Sequence, residues 1–150
     1  MRTDILDMRK KLYPAFTGIS NTFNIKRSRG GIADIEFIIQ FILLLDVKNY
    51  SHNKSKTVDK IISSLLKDKY FTDLGVLKDN FLFFKKVTMA NQIIFRNTSS
   101  SLSLDKNKLL PISNFMNFDS AEDLQETLTK IIKSNNSLFE KYLAGENWIL

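Results

Sequence analysis

No cysteine occurs in the 150-residue chain, and only one histidine. The first absence removes disulfides, thiolate metal ligands and cysteine nucleophiles together, and it fits a reducing cytoplasm. The second leaves no histidine-based zinc cluster. The lone His52 sits between Ser51 and Asn53 in a polar stretch, where it reads as surface filler, so neither a Ser-His-Asp nor a Cys-His arrangement is built. Two prolines and five glycines against twelve phenylalanines exclude a disordered, collagen-like or turn-rich β chain. Long apolar runs are lacking too. Met1 to Tyr13 is charged throughout and carries no secretory pattern, and Ile32 to Val47 is interrupted by Asp34, Glu36 and Gln40 and falls short of the roughly 20 residues a bilayer requires. The expectation is a cytoplasmic chain with no membrane span.

What is present suits one helical domain over residues 1–150. A chain of this size buries about 68–70% of its unfolded surface. Ile5, Met8 and Leu12 share one face of a first helix, Asp4 to Tyr13, ended near Pro14. Thr17 to Asn24 is a polar connection. Ile32 to Asp46 is apolar nearly all round, which marks a central helix. Tyr50 to Lys56 is a polar loop. Thr57 can then cap a helix carrying Val58, Ile61, Ile62, Leu65 and Leu66. A long helix follows from Thr72 to about Arg96, with Leu77, Phe81, Phe84 and Thr88 on one stripe and Val76, Phe83, Val87 and Ile94 on another; helical spacing assigns these phenylalanines to the core. Asn97 to Lys108 lacks periodicity and reads as a mobile loop. Asp119 or Ser120 caps the last helix, whose stripe from Ala121 to Leu143 crosses the polar Ser134 to Ser137 with a bend before Gly145 stops it. The domain thus divides into a first helix at 1–13, a loop and central helix at 25–46, a helical pair at 57–96 and a last helix at 119–144. No stretch alternates with period two for long, so the fold class is an all-α bundle of five to six helices.

The net charge of +6 is scattered, with acidic residues among the basic ones. Lys26, Arg27 and Arg29 form the one cluster placed for chemistry. They precede Gly30-Gly31, which opens the central helix. Glycine amides, a helix N-terminus and nearby cations make an anion site for phosphate. The alternative is that Gly30-Gly31 is simply a tight turn and Asp34 caps free N–H groups of the first helical turn. The segment is neither a Walker A loop nor GxGxxG. Asp34 and Glu36 point about 200° apart on a helix and cannot chelate one ion, so no metal ligands are assigned. Glu36 and Gln40 share a face, and Glu36 on a buried helix should need a partner such as Arg9, Lys26 or Arg29. A Gly-Ser followed by spaced aspartates, which would hold magnesium for nucleotidyl transfer, does not occur. No catalytic residue is assigned within the chain.

The run Lys26-Arg27-Ser28-Arg29-Gly30-Gly31-Ile32-Ala33-Asp34-Ile35-Glu36-Phe37-Ile38-Ile39-Gln40 resembles the pattern K-x-G-x-G-G-[IL]-x-D-[IL]-E-F-x-x-Q of the glutamine synthetase adenylyltransferases. Ile5, Met8, Arg9 and Lys11 resemble the family's preceding Met-Arg helix, and Leu110-Pro111 with Asp119 to Leu143 its closing elements. Ser28 departs from the family's glycine and stiffens the loop. In the long helix only Gln92 keeps the family's L-R-x-x-E-x-R-L-Q run, with Lys85, Lys86, Thr88, Ala90 and Asn91 in the stretch before it. The resemblance implies a helical bundle following a nucleotidyltransferase domain whose aspartates, upstream of Met1, bind magnesium and ATP. It implies transfer of AMP from ATP to a tyrosine of glutamine synthetase, or phosphorolytic removal of that AMP. Lys26, Gly30, Gly31, Asp34, Glu36 and Gln40 carry the match. Lys26 and the Gly30-Gly31 amides would face the phosphate side, with Arg29 assisting, while Arg9, Asp34, Glu36 and Gln40 belong to the signature. Implied partners are glutamine synthetase, a PII-type nitrogen-signal protein and the enzyme's own nucleotidyltransferase domain. A free-standing module that binds an anion or a protein without chemistry is the rival reading. Nucleic acid fits less well, because the aromatics follow core spacing rather than interleaving with a basic patch.

Overall fold

The computed structural model describes residues 2–12, 21–45 and 56–144. Among them six α-helices form an all-α bundle: α1 (Arg2–Leu12), α2 (Ile32–Leu45), α3 (Val58–Leu65), α4 (Gly75–Phe95), α5 (Lys106–Phe115) and α6 (Ala121–Phe139). None of the described helices is long and apolar enough to cross a membrane. The expected positions of His52, Gly145 and most of the Tyr50 to Lys56 loop lie outside the described residues.

Helix α2 is the axis of the bundle. Ile35, Ile38 and Ile42 are fully buried, Phe37, Ile39 and Phe41 nearly so, and α1, α3, α4 and α6 all pack against this helix. Its nearly all-round apolar sequence can be stable only in such a place. Before α3, Thr57 takes the extended backbone of a capping position but its side chain makes no cap bond; its carbonyl accepts the Ile61 amide at 2.9 Å, while Ile61, Ile62 and Leu65 face the core. Ser120 caps α6 by accepting the Asp123 amide at 3.1 Å.

Four details differ from the sequence expectation. On α1 the inward residues are Ile5 and Arg9, whereas Met8 is 54% exposed, because a charged side chain has a buried partner that a methionine could not satisfy. The segment expected as one helix from Thr72 begins instead as a 3-10 turn, Lys69–Leu74, kinked at Phe71, before α4 proper. The second stripe expected on α4 is only partly buried: Val87 is inside, Phe83 and Ile94 are half-buried and Val76 is exposed, and the core line takes in Asn80 and Asn91. Finally, the segments expected as a polar connection and a mobile loop meet. β1 (Thr22–Asn24) pairs antiparallel with β2 (Ser101–Ser103), placing Phe23 beside Leu102, both buried. Asp105 then caps α5 by accepting the Asn107 amide at 2.8 Å. This helix carries Pro111 on its exposed side, where the lost bond to a carbonyl one turn back can be replaced by water.

Helix α6 runs through Ser134 to Ser137 without interruption, and the irregularity comes one turn later as a π-helical turn, Glu140–Ala144. There the Tyr142 hydroxyl donates to Asp73 Oδ1 at 2.5 Å, and Lys141 pairs with Asp73 Oδ2, tying the end of α6 to the turn before α4. Burial, and then the adjacent Asp73, push the Tyr142 phenol well above its ordinary range.

Two outcomes follow. Ile39→Ala, a truncation at 2% exposure, is expected to lower unfolding free energy by about 2–5 kcal/mol in urea titration. Because the folded state raises the Tyr142 pKa, its contribution is complete below the unfolded phenol value of about 10 and declines as pH climbs above it. Tyr142→Phe should cost about 1 kcal/mol at neutral pH and show a shallower alkaline decline; an unchanged alkaline limb would contradict the assignment.

Candidate functional site

The signature loop between β1 and α2 is built around Asn24. Its side-chain Oδ1 accepts the Lys26 and Arg27 amides at 3.1 and 2.9 Å, while its own amide donates to Ser28 Oγ and its carbonyl accepts the Ser28 amide. Ser28 thus closes the turn. Four successive N–H groups leading into α2 are used inside the chain. Gly30 donates to Asp34 Oδ2 at 2.7 Å, Gly31 to Ser28 O at 2.9 Å, Ile32 to Ile25 O at 2.8 Å and Ala33 to Lys26 O at 2.9 Å. The Gly30 and Gly31 amides are therefore not aimed at an external phosphate, a correction to the anion-site expectation; the tight-turn alternative describes them.

Both glycines are required by space. Gly30 has φ of 74°, and a Cβ there would stand 2.5 Å from the Ile132 carbonyl of α6. A Cβ at Gly31 would stand 2.5 Å from the Ile25 carbonyl.

Asp34 holds the loop in place. Arg9 reaches it from α1 with two bonds, Nε to Oδ1 at 2.8 Å and NH2 to Oδ2 at 2.5 Å, and Asp34 is 1% exposed. The Arg9 guanidinium lies 3.4 Å from the centre of the Phe139 ring, and its NH2 also donates to Asn136 Oδ1 at 3.4 Å. On the far side Asn135, fully buried, donates to the Gly30 carbonyl at 2.7 Å and accepts from Asn80 Nδ2 at 2.8 Å. A continuous polar path thus runs from α1 through the loop to α6 and α4.

Reading the sequence missed Asn80, Asn135 and Asn136, and placed Phe139 only as a member of the α6 stripe. The available signal was a polar residue at core spacing: Asn80 falls beside Leu77, Phe81 and Phe84, and Asn135 interrupts the α6 stripe.

The expected partners of Glu36 are elsewhere. Arg9 is committed to Asp34, and Glu36 is half-exposed, so no buried charge needs neutralising. Glu36 and exposed Gln40 share a groove with Lys56, floored by Ile39, Val58 and Ile61. Lys26, Arg27 and Arg29 are all exposed on the outer side of the loop. The described residues hold no group of three His, Asp or Glu side chains spaced for a metal ion.

The family model of the GlnD PII-uridylyltransferase matches residues 5–143. The chain belongs to this family. The match takes in α1 with Arg9, the signature loop and α6 together, the same parts that the polar path connects. Shorter stretches resemble proteins named bifunctional glutamine synthetase adenylyltransferase/adenylyl-removing enzyme, in keeping with the resemblance drawn from residues 26–40. That of Mannheimia succiniciproducens is 49% identical over 45 residues, covering 29% of this chain and 5% of the relative. That of Aromatoleum aromaticum is 40% identical over 50 residues, covering 33% and 5%. That of Hahella chejuensis is 38% identical over 56 residues, covering 33% and 6%. The matched stretches thus span about one-twentieth of the length of these relatives.

Removing one member of the Arg9-Asp34 pair strands a buried charge. Arg9→Met or Asp34→Leu alone is expected to cost about 3–5 kcal/mol, whereas the two together should cost less than the sum of the single losses, read by chemical denaturation. Strict additivity of the two single losses would show that the pair is not a unit.

Proposed function

We propose that this chain is the helical domain that follows a nucleotidyltransferase domain in an enzyme of the glutamine synthetase adenylyltransferase kind, supporting the active site and contacting the protein substrate. The observation that carries the reading is the two-sidedness of one loop. Its inner side is fixed by α1, α4 and α6, and its outer side displays Lys26, Arg27 and Arg29. A rigid loop presenting cations can oppose the charge of nucleotide phosphates without reorganising. In this reading Lys26 and Arg29 face the phosphate side, and Gly30 and Gly31 act by shaping the turn. Glutamine synthetase is the protein substrate, with a PII-type protein as a further partner, in the cytoplasm.

Magnesium and ATP belong to the enzyme as a whole. The residues described do not fit the metal: Asp34 is taken up by Arg9 and Gly30, and Glu36 points away from it. No step through a metal is assigned to them. The family description favours a second reading, in which the nucleotide is UTP and the acceptor is PII. The loop's chemistry toward phosphates is the same in both.

Isothermal titration of the chain with magnesium-ATP, magnesium-UTP, glutamine synthetase and PII separates these readings. Binding of glutamine synthetase without nucleotide marks a docking and support domain; nucleotide affinity lost in Lys26→Ala makes the loop a phosphate site in its own right. Binding of neither protein and neither nucleotide would sink both readings. In the intact enzyme Lys26→Ala is expected to lower kcat/KM on the order of tenfold, with stability changed by less than about 0.5 kcal/mol.

A further inference from the structure

Helix α4 turns Leu77, Phe81, Phe84 and Asn91 inward. A second line on the same helix faces out. Asp79, Leu82, Lys86, Met89 and Ile93 recur at alternating steps of three and four, the spacing of a helix that lies along another helix. Leu82, Met89 and Ile93 are 38%, 50% and 57% exposed. One exposed aliphatic side chain is ordinary, but several on one line beside a groove are not.

The groove adjoins this seam. Lys86 and Met89 form one wall with Phe83, and Phe115, Met116 and Phe118 form the other, around a cavity of about 430 Å³. Phe83 and Phe118 meet edge to face with ring centres 6.1 Å apart. Asn117 takes a left-handed backbone with φ of 61°, which returns the Phe118 amide to the Ser113 carbonyl at 2.8 Å and fixes that wall. The groove is thus preformed, apolar and rich in methionine and phenylalanine, the composition of surfaces that receive helices.

We propose that the α4 seam and its groove receive an amphipathic helix of a partner protein whose apolar face carries a carboxylate near its middle. Lys86 selects that chemistry. It stands between Leu82 and Met89 in the seam and forms no ion pair among the described residues, and exposed Lys85 adds positive charge next to it. A helix whose seam is wholly apolar would bury the Lys86 ammonium without a partner. A second copy of this chain is disfavoured: the antiparallel register that covers Leu82, Met89 and Ile93 of both copies brings the two Lys86 side chains together near the two-fold axis. This surface shares no residue with the signature loop, and the proposal does not rest on the reading of that loop.

The test uses two fluorescent synthetic helices of about 20 residues, with leucine at the seam positions and either Glu or Lys at the central one, titrated into the full chain by anisotropy. The Glu helix is expected to bind at least tenfold more tightly than the Lys helix, Lys86→Glu to reverse that preference, and Met89→Asp to abolish binding of both while leaving the thermal melt unchanged. Equal affinity for the two helices, or no binding of either, would overturn the proposal. So would a concentration-dependent dimer in sedimentation that Met89→Asp dissolves, which would assign the seam to a second copy.

Discussion

A carboxylate taken out of water loses hydration worth several kcal/mol and can stay ionised only where donors replace what the solvent gave. Asp34 meets that condition with the fork of Arg9 and the Gly30 amide. The same carboxylate therefore sets the angle of α1 on α2 and the shape of the glycine turn. Arg9, drawn inward, needs company of its own and finds it in the Phe139 ring and the Asn136 amide of α6. The Gly30 carbonyl in turn requires a donor, supplied by Asn135, which Asn80 orients. Each satisfied group creates the demand that the next one meets, and four elements are placed by following it.

This division of labour separates the family-patterned residues into two sets. Gly30, Gly31, Asp34, Ile35 and Phe37 face inward and define the fold around the loop, whereas Lys26, Glu36 and Gln40 lie on the solvent side. The inward set is constrained by space and by bonding: a Cβ at either glycine would meet a backbone carbonyl at 2.5 Å, and the one Asp34 carboxylate bonds both Arg9 and the turn. The outward set has no such structural duty, and its chemistry is therefore where the function proposed for the loop is placed. A phosphate-facing role fits the exposed cations and does not fit the glycine amides, which the turn itself consumes.

Much of this was legible from the residues alone. Ile61, Ile62 and Leu65 at helical spacing, or the nearly all-round apolar pattern of α2, could hardly be read otherwise, because local pattern and final burial agree there. The cap of α6 was visible as Asp119 or Ser120, and Ser120 takes the place. What stayed hidden depended on partners far along the chain. Met8 and Arg9 exchange the places that hydrophobicity would give them, since the partner of Arg9 lies on another helix. Asn80, Asn91 and Asn135 are core residues only because each finds an acceptor or donor across the bundle. Helix α5 was obscured by Pro111, and strands of three residues are too short to show a period at all.

Those two strands have an entropic meaning. Asn24 pairs with Ser101, so everything from Ile25 to Ser100 is an excursion that leaves and returns at one point, with the Ile25 amide on the Ser100 carbonyl as its innermost stitch. Closing a loop of that length costs about 4 kcal/mol of chain entropy, more than so few ladder bonds can offset. The ribbon therefore depends on the packing of α2, α3 and α4, and acts as the clasp of that excursion. Lys26 stands two residues beyond that clasp. The aim of its side chain is thus written into the whole excursion, and any change that moves the point of return moves the loop with it.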